Sequence, residues 1–406
     1  MGHLLGAPSA NPNACHDLAV WVEVESVTPL APDRGVIAAY AIDAPRPGQR
    51  QRGAGLDIAG WVVGRDAPVH GIRISGGELP NVFVPVDVAR PDVAADYPSL
   101  LHSLTSGFSG WARLHVSSGT ADLVVEAMPE HGASQPIAII RARTLSMPVQ
   151  PQPGQRVISA PDFVIIGAQR GGTTSLFAYL SAHRRVAPAS TKEVHYLTDN
   201  FERGRDWYLG HFPATLPPET ITGEATPYAL LHPLAPTRLR QTAPNAKLIV
   251  LLRNPVERAH SHYSLERARG DEPLDFAAAL EAEAARLAGE ELRLGADTGY
   301  RSFAHKHYSY RARSDYAPQL ERWFAAFPRH QFLILRSEEL FARPAASFAR
   351  VATFLKIEPD VDIPFSVHGE SHGAPMDEAT RRRLVEHFAP RNARLAALLG
   401  WDPAWA

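Results

Sequence analysis

At 406 residues the chain is long enough for two domains, each with its own core. Its composition is 45% hydrophobic and 21% charged with a formal net charge of −2, which excludes a general affinity for nucleic acid, so any anion site must be local. The single cysteine, Cys15, excludes an intrachain disulfide and a multi-thiolate metal site.

The opening MGHLLGAPSANPNACH lacks a basic start and a sustained apolar core, so a disordered leader is expected over residues 1–16 rather than a signal peptide. No run approaches the roughly 18 apolar residues of a membrane helix. No membrane span is expected, and a cytoplasmic location is the default. Residues 17–145 read as short β-like segments, among them LAVWVEV, GVIAAYAI, LDIAGWVV, GIRI and IAIIRA, separated by Gly, Pro, Asp and Ser clusters. That grammar suggests an accessory β-sandwich domain. Trp and Tyr in ARPDVAADYPS and SGFSGW could line a carbohydrate surface, but such side chains more often pack the core. Residues 146–160 (SMPVQPQPGQRVISA) are proline-rich and predict an extended linker.

From residue 161 to 406 the grammar changes to α/β. Strand candidates FVIIG, a piece near Val186, TITGE, KLIVLLR and QFLILR alternate with longer helical stretches. A P-loop-type, mainly parallel sheet flanked by helices follows. Helices are expected after Thr173, Pro255, Asp315 and Pro375, and Asn254-Pro255-Val256-Glu257 is a well-specified helix start.

The stretch FVIIGAQRGGTTSLFAYL passes from a strand through a glycine-rich turn into a helix, as a phosphate-binding loop does. The usual lysine after the second glycine is missing: Thr173 follows Gly172. Gly171 and Gly172 let the backbone approach an anion, Thr173, Thr174 and Ser175 offer hydroxyls, and Arg170 supplies charge. A kinase would also need an acidic strand end for Mg²⁺, yet KLIVLLR ends in Arg253. In the following helix, Arg258, Ser261, His262 and Leu265 share one face. Arg253 and Ser261 could therefore converge on a second phosphate.

Taken together, these residues resemble the sulfotransferase family, in its heparan-sulfate or carbohydrate branch. GAQRGGTTSL is similar to the family's 5′-phosphosulfate loop and RNPVERAHSHY to its 3′-phosphate motif. KEVHYLTDNFERGRDWYLGHFP is similar to the E-x-H-F-F and W-Y segment of heparan-sulfate-type members. The resemblance implies 3′-phosphoadenosine-5′-phosphosulfate (PAPS) as donor, no metal, and a glycan or small-molecule acceptor with a hydroxyl or amine. The missing lysine then has an explanation, because this donor has no γ-phosphate and the family needs no magnesium bridge.

The family pattern points to Glu193 as the catalytic base, with His195 as the second candidate and Arg170 holding the sulfonate and phosphate oxygens. Without the resemblance, Glu193 would read as a solvated carboxylate beside Lys192. Glu224 matches an acidic family position, but Ala225 follows it where relatives carry lysine. Near the C-terminus, His368, Glu370, Ser371 and His372 replace a Lys/Arg-rich stretch, which argues against a strongly polyanionic acceptor. Rival expectations are a P-loop nucleotide kinase and a non-catalytic nucleotide- or carbohydrate-binding protein. The acceptor and the oligomeric state are not legible.

Overall fold

The computed structural model describes residues 18–76, 81–114, 119–358, 363–366 and 375–405. The expected leader and the segment with His368, Glu370, Ser371 and His372 lie outside the described residues. The chain divides into two compact units, Met1–Gln150 with Arg203–Gly210, and Pro151–Glu202 with His211–Ala406.

In the first unit, segments of alternating polarity form β1 (Leu18–Pro29), β2 (Ile37–Ala44), β3 (Arg50–Arg52), β4 (Gly55–Gly64) and β5 (Val69–Ser75). β6 (Val82–Val88), α1 (Pro91–Asp96), β7 (Gly107–Arg113), β8 (Thr120–Pro129) and β9 (Gln135–Pro148) follow. The strands make one antiparallel sheet in the order β2-β4-β7-β6-β5-β8-β9-β1-β3. Alternation gathers Val22, Val24, Leu56, Ile58, Ile72, Val125 and Ile140 into one buried core. The six-residue α1 is too short to cover that face, so the sheet must curve and pack on itself. The antiparallel β domain expected here is present. It is not divided into two hydrogen-bonded sheets, because β6 pairs with both β5 and β7 and carries the ladder across.

The second unit opens with β10 (Arg156–Val157), β11 (Phe163–Gly167), α2 (Thr173–Ala182) and β12 (Val186–Pro188). After α3 (Arg205–Leu209), grouped with the first unit, come β13 (Thr215–Leu216), β14 (Ile221–Ala225), α4 (Ala235–Thr242), β15 (Lys247–Leu252) and α5 (Pro255–Arg269). Next are α6 (Phe276–Leu287), α7 (Glu290–Ala296), α8 (Phe303–His307) and α9 (Tyr316–Ala326). The unit ends with β16 (Phe332–Arg336), α10 (Ser337–Ala342), α11 (Pro344–Leu355) and α12 (Glu378–Leu399). Five strands form a parallel sheet in the order β12-β14-β11-β15-β16. β11 is buried at every position, as a strand covered on both faces must be.

The connection after β11 leads to one side of the sheet, and the connection after β15 leads to the other. The crevice between their carboxyl ends is therefore the topological switch point, where open α/β sheets bind ligands. Part of the expected linker is built into this unit: Arg156 and Val157 pair with Leu216 and Thr215, and Arg156 Nη2 lies 2.5 Å from Asp162 Oδ2.

The helix α3 carries the Trp-Tyr pair of the KEVHYLTDNFERGRDWYLGHFP segment, yet its partners lie in the first unit. Arg52 Nη2 is 3.6 Å from Asp206 Oδ1, and Arg203 donates to Asp57 Oδ1 at 2.5 Å. The Arg203 guanidinium stacks 4.8 Å over the Trp207 ring and 5.5 Å over Trp111. Gly53, at φ +114, lets this segment in, because a Cβ there would stand 2.9 Å from the Trp207 Cβ.

Candidate functional site

The loop leaving β11 turns into α2 through Arg170 at φ 68 and Gly172 at φ 93. Gly172 is the residue before α2 and offers no side chain to cap it, which leaves the helix start open to an anion. Gly171 is needed for closeness instead: a Cβ there would stand 2.6 Å from the Leu251 carbonyl oxygen of β15. Thr173 is buried, Thr174 is exposed at the loop mouth, and Ser175 is fully buried.

β15 delivers Arg253 to the same place. Arg253 Nη1 donates to the Arg170 carbonyl at 3.1 Å, and the Arg253 carbonyl is held by the Tyr316 hydroxyl at 2.8 Å. Asn254 then starts α5 as expected, its side chain accepting from Val256 N–H at 2.9 Å. The face expected on α5 exists: Arg258, Ser261 and His262 are all buried. Arg170 Nε donates to Ser261 Oγ at 2.9 Å, so the loop, the strand end and the helix converge. Burial, then the nearby Arg253 and Arg269, lower the Arg170 pKa, a crowding of positive charge that a bound anion would relieve.

Arg258 serves the loop rather than a ligand. Its guanidinium, with a pKa lowered to about 9 by complete burial, donates to Ser314 Oγ at 2.6 Å, the Tyr310 carbonyl at 2.6 Å and the Gln169 carbonyl at 3.5 Å.

On the other side of β11, β14 ends beside it, with Ala225 paired to Ile165. Glu193 hangs from that end through its N–H to the Ala225 carbonyl at 2.9 Å. His195 donates its N–H to Thr226 Oγ1 at 3.3 Å. Both residues have left-handed backbones, at φ 61 and φ 55, a conformation that costs a non-glycine residue about 1 kcal/mol or more. Lys192 Nζ contacts Glu193 Oε1, and His195 Nε2 lies 3.5 Å from Glu193 Oε2. His195 Nδ1 is 3.2 Å from Thr198 Oγ1 and 3.8 Å from Asp199 Oδ2, and Asp199 is paired with Lys306 at 2.6 Å. Burial would raise the Glu193 pKa, but the hydrogen bond with His195 and the Lys192 charge outweigh it and hold it at about 2. Glu224 is fully buried and accepts from Thr226 Oγ1 at 2.6 Å, so it braces the strand end.

Sequence reasoning missed Arg313. Its side chain is buried 5.1 Å over the Tyr228 ring, Nη2 donates to the Lys306 carbonyl at 2.7 Å, and Nε and Nη1 make no hydrogen bond. Burial lowers its pKa to about 10, while Tyr228, Glu266 and Glu193 oppose that fall. No motif surrounds it, and only the fold brings it within reach of the Glu193 charge.

The arrangement is that of a sulfotransferase. The sulfotransferase domain family matches residues 160–385, more than half of the chain, and the chain belongs to that family. It is 30% identical to mouse heparan sulfate glucosamine 3-O-sulfotransferase 6 over 67% of this chain and 81% of that one. It is 27% identical to the membrane-associated sulfotransferase kil1 of Dictyostelium discoideum over 62% of this chain and 67% of that one. A solved sulfotransferase from Alicyclobacillus acidocaldarius aligns with TM-score 0.50 and 30% identity, covering 61% of this chain and 99% of that chain.

Two expectations change. The kinase and non-catalytic readings give way to an enzyme of the sulfotransferase family, similar to its heparan-sulfate members. The cytoplasmic location is overturned by relatives such as the membrane-associated Dictyostelium protein. It had rested on composition, and one cysteine and short apolar runs carry no address. Among the described residues, no helix is long and apolar enough to cross a membrane.

Proposed function

We propose that this enzyme transfers a sulfuryl group from PAPS to a hydroxyl or amine of a carbohydrate acceptor. The observation that carries the reading is the convergence of Arg170, Arg253 and Ser261 on the open start of α2, at the switch point of the sheet. Two anion positions suit a donor with a 5′-phosphosulfate and a 3′-phosphate. The carbohydrate class is supported by the mouse relative, whose name specifies heparan sulfate glucosamine.

In this reading the loop N–H groups, Arg170, Thr173 and Thr174 hold the phosphosulfate oxygens by preorganised electrostatics. Arg253 and Ser261 take the 3′-phosphate. Glu193 accepts the proton of the acceptor as its oxygen or nitrogen bonds to sulfur. The bond from sulfur to the bridging oxygen breaks, and that oxygen leaves with the electron pair on 3′-phosphoadenosine 5′-phosphate. Arg170 stabilises the charge arriving there. As a guanidinium it holds oxygens well and donates protons poorly.

Thermal unfolding tests the donor. The 3′-phosphoadenosine 5′-phosphate product should raise Tm, because a ligand of the folded state shifts its equilibrium. ATP with Mg²⁺ should raise it far less. Equal shifts from both nucleotides would remove the support for a PAPS site.

A further inference from the structure

We propose that Ser337 and Glu338, the first two residues of α10, with Tyr316 of α9, are positioning residues that lock the loop after β11 and the start of α5 into one donor site. This rests on the donor reading above and deepens it. The three side chains act through the backbone of the site, and they decide whether its two phosphate positions work together.

The peptide bond joining Arg253 to Asn254 is held at both of its polar ends. The Tyr316 hydroxyl donates to the Arg253 carbonyl at 2.8 Å, and the Asn254 N–H donates to Glu338 Oε1 at 2.8 Å. A peptide unit is planar, so two bonds on its opposite edges fix its orientation and the direction in which the Arg253 side chain departs. Arg253 Nη1 then reaches the Arg170 carbonyl. Tyr316 is buried, and burial raises its pKa to about 12, so the hydroxyl keeps the proton it donates.

The neighbour of Glu338 serves the other phosphate element. The Ser337 hydroxyl donates to the Gly171 carbonyl at 2.8 Å, and Ser337 is itself buried. That bond turns the Gly171–Gly172 peptide so that its N–H faces away from Ser337. Later in α10, Leu340 and Phe341 press on the same turn. A Cβ on Gly172 would stand 3.3 Å from Leu340 Cδ2 and 2.9 Å from Phe341 Cζ.

A serine and an acid at a helix start usually serve the N–H groups of their own helix. Here both reach out of α10, one to each phosphate element. The bond to Glu338 is charge-assisted and so among the stronger kind. The other carboxylate oxygen, Oε2, makes no hydrogen bond and lies 4.0 Å from Arg336 Nε.

Calorimetry on the full chain tests this with 3′-phosphoadenosine 5′-phosphate and adenosine 5′-phosphate. The ratio of the two affinities measures what the 3′-phosphate adds. Glu338→Ala and Tyr316→Phe should each cut that ratio about fivefold, the effect of one hydrogen bond. Glu338→Gln keeps an oxygen for the Asn254 N–H, so its ratio should stay within about twofold of the native value. Ser337→Ala acts on the loop, and it should weaken both nucleotides about threefold while leaving the ratio alone. General damage to the fold would weaken both nucleotides alike in every variant, so the ratio isolates positioning. The inference is overturned if Arg253→Ala abolishes the ratio while Glu338→Ala and Tyr316→Phe preserve it. It also fails if Glu338→Gln does no better than Glu338→Ala, or if Ser337→Ala binds both nucleotides as tightly as the native chain. A ratio unmoved by Arg253→Ala would instead defeat the 3′-phosphate assignment on which the inference stands.

Discussion

Glu193 is a carboxylate with two partners, and its environment decides what it can do. With a pKa of about 2 it is ionised at neutral pH, so it can accept a proton there. A base so acidic is also a weak one, since proton transfer is most efficient near the operating pH. Removing its carboxylate should still be costly. Glu193→Gln is expected to bind the donor product normally and to transfer at least about a hundredfold more slowly, within the range for a general base. If the variant keeps near-normal rates while His195→Asn is dead, the proton goes to His195 instead. Lys192 gives a second handle on the same residue. Lys192→Met removes one of the groups that depress the Glu193 pKa, so that pKa should rise. The acidic limb of kcat/KM against pH should then move upward into an accessible range. The sign for stability is set by the same shift: a depressed carboxylate stabilises above its unfolded pKa of about 4.3, and that contribution is lost as pH falls toward the folded value. Loss of Lys192 should therefore reduce stability at neutral pH and flatten the acid dependence. An unmoved limb would show that the kinetic group is not Glu193.

At the scale of elements, the site is three chain segments pinned to the ends of two adjacent strands. Arg253 closes β15, Ser261 rides α5, and Arg170 bulges from the loop after β11. Arg253→Ala should weaken donor-product binding more than tenfold, since a charge-assisted hydrogen bond to a buried anion is worth about 1.5–3 kcal/mol. Ser261→Ala should weaken it less, because a neutral hydroxyl contributes about half as much. Calorimetry with an analogue lacking the 3′-phosphate separates roles: the Arg253 deficit should disappear there, and an equal deficit would remove this arginine from the 3′-phosphate. These segments were legible because their signals are local: an apolar run before glycines, and a cap-proline-glutamate start before α5. The helices α4, α6, α7, α8, α10 and α11 were not expected from sequence. α8 and α10, of five and six residues, are too short to show helical periodicity. α6 is rich in alanine, which marks no face strongly. Arg313 escaped for a different reason: its meeting with Tyr228 is long-range, and a buried arginine looks like any other in a sequence.

For the whole molecule, the instructive case is Arg203–Gly210. Its neighbours in sequence belong to the second unit, while its own contacts belong to the first. A proline-rich stretch around residue 150 reads as one clean boundary, because composition marks where a chain lacks a core and says nothing of where a later segment returns. Trp207, Tyr208 and Leu209 are buried at 7%, 0% and 3% exposure, and the Arg203 guanidinium lies over both the Trp207 and the Trp111 rings. A chain beginning at residue 151 would keep the whole family match outside its first few residues, since the match starts at residue 160. It would still strip Arg203–Gly210 of Arg52, Asp57 and Trp111. Trp207, which packs beside Gly53, would lose that cover, and an exposed large aromatic favours aggregation. The shortened chain is therefore expected to be poorly soluble, or to unfold several degrees below the full chain in thermal scans. Trp207→Ser should restore its solubility, because a polar side chain removes the exposed ring without touching the parallel sheet. A shortened chain as soluble and as stable as the full one would mean that this segment does not need the first unit. The β domain would then be dispensable for folding the sulfotransferase unit.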